Sequence, residues 1–104
     1  PPTEQKAISD LILNASEAKL CCEANTKNAF EIFFSAKESI YKALYPSCLE
    51  LFEHKDVEIV SINEDKAMLE LRLLRDLKTR WLEGHVFTVD YVSAESFVLT
   101  WLYL

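Results

Sequence analysis

Apolar residues recur at helical spacing through the first half of the chain and at alternate positions through much of the second. The pattern predicts a mostly helical stretch over residues 1–50 and a mostly strand stretch over 51–104. Thr3, followed by Glu4 and Gln5, reads as an N-cap with a carboxylate in the first turn. Ile8, Leu11, Ile12, Ala15, Ala18 and Cys22 then continue one amphipathic helix. The polar run Asn25-Thr26-Lys27-Asn28 interrupts it, and a second helix is predicted from Ala29 to about Leu44, stopped by Pro46. Val57 to Ile62 and Lys66 to Leu74 read as a hairpin around the turn Asn63-Glu64-Asp65, with Leu69, Leu71 and Leu73 alternating against Glu70 and Arg72. Gly84, the only glycine, precedes a third run from His85 to Val92, and Ser93-Ala94-Glu95-Ser96 turns into a fourth from Phe97 to Tyr103. Both alternating sets of that last run, Phe97/Leu99/Trp101/Tyr103 and Val98/Thr100/Leu102, are largely apolar, which predicts a strand covered on both faces. The fold class expected is α+β, two N-terminal helices packed on a mostly antiparallel sheet, and no repeat or long linker divides residues 1–104 into more than a single domain.

Composition narrows the partners. With 104 residues, half of them hydrophobic and 27% charged, the chain has enough apolar material for an ordinary core. A formal net charge of −6, without an arginine-rich stretch or a glycine-rich loop, argues against nucleic acid. Of the three cysteines, Cys21 and Cys22 are vicinal, and none has C-x-x-C or His/Cys zinc spacing; they read as reduced thiols in or beside the core. The N-terminus does not resemble a signal peptide, and the longest apolar run, Phe97 to Leu104, is short and interrupted by Thr100. A cytoplasmic protein without a membrane partner is expected.

The chemistry concentrates in nine residues of the second helix, Phe34-Ser35-Ala36-Lys37-Glu38-Ser39-Ile40-Tyr41-Lys42. At about 100° per residue, Phe30, Phe33, Phe34, Ile40, Tyr41, Leu44 and Tyr45 fall within an arc of roughly 140°, the expected buried face. Lys37 lies near the middle of that arc, where an ammonium group is costly unless its stem snorkels to water or it meets an anion. Glu31, Ser35, Glu38 and Lys42 share a separate stripe about 60° wide. Taken alone, Glu38 and Lys42 are four apart and could be no more than an exposed ion pair worth about 0.3–0.5 kcal/mol.

The combination resembles the 4'-phosphopantetheinyl transferases of the surfactin-synthetase and enterobactin-synthetase type. Their second signature motif runs aromatic, Ser or another small residue, x-Lys-Glu-(Ala/Ser)-x-x-Lys, and Phe34 to Lys42 fits each position, with Ala43-Leu44-Tyr45-Pro46 as the usual continuation. The resemblance implies one half of a pseudo-twofold fold and a transfer of the phosphopantetheine arm of coenzyme A to a serine of an acyl, peptidyl or aryl carrier protein. By the same resemblance Glu38 is a Mg²⁺ ligand that also helps orient or deprotonate the carrier serine, and Lys42 is a phosphate clamp. Lys37 would point to the coenzyme A phosphates, and Ser35 would donate a hydrogen bond nearby. Such a site needs positive charge and a hard cation around a pyrophosphate, because phosphoryl transfer leaves the protein little covalent work.

One family feature is missing. The first motif, Gly-x-Asp-x-Glu or a variant, supplies further metal-binding carboxylates upstream, whereas the comparable acidic pair here, Asp56-Val57-Glu58, lacks the glycine and follows the Lys-Glu motif. It reads as a strand-edge pair. The chain therefore resembles only the C-terminal half, and the polypeptide alone is expected to have little or no activity, with a missing N-terminal half or a second chain completing the cleft. Trp81, Phe87, Tyr91, Phe97, Trp101 and Tyr103 would either fill the sheet–helix core or form the surface left by that half. Arg72, Arg75, Lys78 and Arg80 are the candidates for docking an acidic carrier, or else a solvated connection between hairpins. The competing class is a non-catalytic interaction module that kept the helix motif.

Overall fold

The first predicted helix breaks at Leu13 and Asn14 in the computed structural model, which describes residues 8–78 and 80–104. Residues 8–12 are helical, and helix α1, Ala15–Glu23, starts afresh. The cause is local. Asn14 takes an extended conformation and its Oδ1 accepts from Glu17 N at 2.9 Å, while Glu17 Oε1 accepts from Asn14 N at 2.9 Å. This reciprocal capping box satisfies two donors that a continuous helix would have used internally, and it outweighs the apolar periodicity running across the break. The result sends Ile12 and Leu13 into the core and leaves Ile8 and Leu11 exposed. The proposed N-cap at Thr3 lies outside the described residues.

Helix α2, Ala29–Cys48, passes through Pro46 instead of ending before it. A proline in the last turn forfeits only one ladder bond, to the carbonyl of the exposed Lys42, and the helix closes when Leu49 adopts a left-handed φ of 52° and donates to Tyr45 O at 2.7 Å. Its most deeply buried stripe is Ile32, Ala36, Ile40 and Leu44, flanked by Phe33 and Lys37, while Phe30, Phe34 and Tyr41 are only partly covered. The buried face is therefore turned by roughly 60° from the arc that the aromatic residues suggest, and Lys37 sits toward its border.

Four antiparallel strands follow in the order β1-β2-β3-β4: Val57–Asn63, Met68–Leu73, Val86–Ser93 and Val98–Trp101. The α+β class and the helix-on-sheet arrangement agree with expectation. Alternation holds on the inner strands, where Leu69, Leu71, Leu73, Phe87, Val89 and Tyr91 face the helices. A register shift between Ile59 and Ser61 bulges β1, an edge strand. Glu64 in the first hairpin turn accepts from Asn25 N and Thr26 N at 3.1 and 2.9 Å, tying that turn to the α1–α2 connection. In the longer β2–β3 connection Gly84 has φ 93°, a conformation that side chains disfavour, and its N–H reaches Leu73 O at 2.7 Å.

Strand β4 is covered on one face, not two. It is the other edge strand, packed by α2 on the side carrying Val98 and Thr100, whereas Leu99 is 56% exposed on the side away from the helix. Apolar residues in both alternating sets signal burial only when a second layer exists, and none lies over the outer face among the described residues. The aromatic set divides accordingly: Phe87 and Tyr91 are buried, Trp81 and Trp101 half-buried, and Phe97 and Tyr103 exposed.

Candidate functional site

Consecutive motif residues on α2 part company. Glu38 points to a recess between α2 and the segment leading into β1, whose apolar wall is Tyr41, Phe52 and Val57 and whose polar rim is Glu38, Glu53 and His54. Glu38 Oε1 lies 3.5 Å from His54 Nε2, and the His54 ring stacks on Phe34 with centroids 5.3 Å apart. The Glu38 side chain remains 37% exposed, so it is reachable from solvent. His54 carries no motif in the sequence; only the fold brings it beside Glu38.

Lys37 borders the same recess, but its ammonium turns inward. Nζ donates to Ile12 O at 2.7 Å and His54 O at 2.7 Å, and it meets Glu17 Oε1 at 2.9 Å and Oε2 at 2.8 Å. Both side chains are essentially without solvent contact. Burial pushes the Lys37 ammonium below the ordinary lysine range, and the hydrogen bond and charge of Glu17 oppose that shift. Glu17 is equally occupied: besides Lys37 and Asn14 N, it accepts from Ile59 N at 2.7 Å on the edge strand β1. The pair thus joins α1, α2, β1 and the short 3₁₀ turn His54–Asp56. A carboxylate three residues after Asn14, the spacing of a capping box, was the available signal for Glu17.

The other predicted residues lie apart. Lys42 is exposed, does not line the recess, and forms no ion pair with Glu38 or any other described residue. Ser35 Oγ is 2.7 Å from Thr100 Oγ1, and Ser39 Oγ is 2.6 Å from the same hydroxyl, so both serines fasten α2 to β4. The arrangement therefore brings Glu38 and Lys37 to the border of one opening, with the Lys37 charge, Lys42 and Ser35 directed elsewhere.

Among the described residues, no three His, Cys, Asp or Glu side chains converge to hold a metal ion. Glu38 nonetheless suits one partner of a hard cation, since magnesium is commonly held by one or two carboxylates, with water and phosphate oxygens in the remaining positions. Asp56 and Glu58 are committed elsewhere. Asp56 approaches Arg75 at 3.6 Å, and Glu58 accepts from Asn14 and Arg72, both at 2.7 Å, which in that order hold its carboxyl below the usual range. Arg75 also pairs with Glu50, and Arg80 lies over the Trp81 ring. Arg72 and Arg75, though partly exposed, are thus paired within the fold, and Lys78 and Arg80 form no ion pair among the described residues.

No helix among the described residues is long and apolar enough to cross a membrane. A family model described as the 4'-phosphopantetheinyl transferase superfamily matches residues 2–101. No curated protein matches the chain.

Proposed function

Because the chain belongs to the 4'-phosphopantetheinyl transferase superfamily, we propose that it forms part of an enzyme that transfers the 4'-phosphopantetheine group of coenzyme A to a carrier-protein serine. The observation that carries this reading is the Glu38 carboxylate, partly exposed at the rim of a recess with its backbone fixed on a long, well-buried helix. Glu38 would contribute one ligand to magnesium, which when bound would neutralise charge on the pyrophosphate oxygens. Further carboxylates would come from the half that carries the first motif, on the same or a second polypeptide, and residues 1–104 alone would transfer little. The carrier serine oxygen would bond to the β-phosphorus as the bond to adenosine 3',5'-bisphosphate breaks, and the serine proton would pass to a carboxylate or water.

Lys42, one turn beyond Glu38 and unpaired among the described residues, keeps its proposed role as a phosphate clamp. Lys37 would reach a phosphate only by exchanging Glu17 for it, and Ser35 only by leaving Thr100. Their surroundings favour roles in holding α2. That inward-turned ammonium is also the observation that favours the second reading, an interaction module without catalysis.

The deciding experiment is coenzyme A transfer to a panel of apo-carriers with Mg²⁺, for this chain with and without the first-motif half. Transfer that requires both halves and is lost in Glu38→Ala supports the enzyme. No transfer by either form, with retained carrier binding, supports the module.

A further inference from the structure

Nothing in the motif assigns a role to Glu17, yet it is the counter-charge of the one motif ammonium that is buried. Lys37 borders the same recess as Glu38, so a change of its side-chain torsions is the motion that would bring its Nζ toward that opening. What prevents this is the set of acceptors on the inner side: both oxygens of Glu17 and the carbonyls of Ile12 and His54. Of these only Glu17 carries charge. Were that charge removed, the ammonium would be buried against two neutral carbonyls, and it would gain by moving to water. The recess that Lys37 borders would offer it that water, and Glu38 and Glu53 are the carboxylates on its rim.

We propose that Glu17 is a positioning residue: by holding the Lys37 ammonium in the interior it keeps that charge out of the recess and leaves the Glu38 carboxylate open to a divalent cation. The inference rests on the metal role assigned to Glu38 under the proposed function. It adds that Lys37 serves the site by staying away from it. The same ion pair also sets the rim, because the Nζ bond to His54 O fixes the backbone that carries the imidazole beside Glu38.

The test uses Glu17→Gln, because the amide keeps an acceptor oxygen for Asn14 N or Ile59 N while losing the charge. Mn²⁺ is titrated into the protein, and paramagnetic broadening of the Glu38 amide and His54 ring signals is followed at a temperature where circular dichroism shows each variant fully folded. In Glu17→Gln the midpoint should move to about tenfold higher Mn²⁺, the scale of placing an ammonium beside a ligand carboxylate in partly screened surroundings. The double variant Glu17→Gln/Lys37→Met, which has no ammonium to release, should return to within about twofold of the native midpoint. A merely structural role would not give this rescue of metal binding. A native midpoint in folded Glu17→Gln, or a double variant no better than the single, overturns the proposal. Glu38→Ala is the parallel control: undiminished broadening there sinks the metal reading itself, and the positioning role with it.

Discussion

Lys37→Met should cost the fold far more than Lys42→Met, although the two lysines belong to one motif and lie five residues apart. Methionine has nearly the length of the lysine stem, so packing changes little and the loss is mainly polar. At position 37 the change deletes donors to Glu17, Ile12 O and His54 O, and it strands the Glu17 carboxylate in the interior with only Asn14 N and Ile59 N. Breaking a buried pair from one side costs about 3–5 kcal/mol. Lys42 is exposed and makes no ion pair among the described residues, so its replacement should stay within about 0.5 kcal/mol. The double variant Glu17→Gln/Lys37→Met removes the stranded charge and leaves one or two unmatched backbone groups, at a net cost of about 1–3 kcal/mol.

Urea unfolding followed by circular dichroism measures all four proteins, with equal slopes required for comparison. The expected order is native and Lys42→Met together, then the double variant, then Lys37→Met. If Lys37→Met loses under about 1 kcal/mol, or if the double variant is no more stable than Lys37→Met, the buried pair is not what joins α1, α2 and β1.

With the first-motif half present, Glu38→Ala should lower the transfer kcat by about a hundredfold or more, and Lys42→Ala should instead raise KM for coenzyme A by roughly tenfold. Unchanged constants in steady-state assays would remove those assignments one at a time. The Glu58 carboxyl is depressed first by the Asn14 hydrogen bond and next by that of Arg72, so the unfolded chain binds its proton more readily. Its stabilisation is present above the unfolded carboxyl range and lost as pH falls through the lower folded value; Glu58→Gln should flatten the acid limb of a stability–pH curve. Alkylation by iodoacetamide, read by mass spectrometry, should label exposed Cys22 first. Cys21 should follow, its thiol pushed up by burial and then by Cys22 and Glu31, and buried Cys48 should react last.

The class of fold and the four strands were legible because alternation on β2 and β3 records a real difference between a covered face and a wet one. The same logic misread β4, where the sequence is apolar on both sides and only the layer count decides which side is covered. Helix limits failed at two places for related reasons. At Asn14 a capping box competes with periodicity and wins, and at Pro46 the helix had only half a turn left to lose. The recess was partly legible. Glu38 at its rim follows from the motif, but His54 reaches it through a stack on Phe34 that no spacing in the sequence encodes.

The adjacency of Lys37 and Glu38 explains why a motif match cannot by itself say which residues touch a ligand. Neighbours on a helix are rotated by about 100°, so one of any such pair at the edge of a buried face can point inward while the next points out. Here the inward member is a cation whose burial demands a fixed anion, and the demand is met from another helix by a residue that also caps its own helix and satisfies an edge-strand amide. On the proposed metal role of Glu38, such a site would couple ligand geometry to the packing of the fold, because the helix that carries Glu38 is tied to α1 through Lys37 and Glu17. Selection for the proposed reaction would then retain Lys37 as firmly as Glu38, although the ligand role belongs to Glu38 alone and Lys37 meets Glu17.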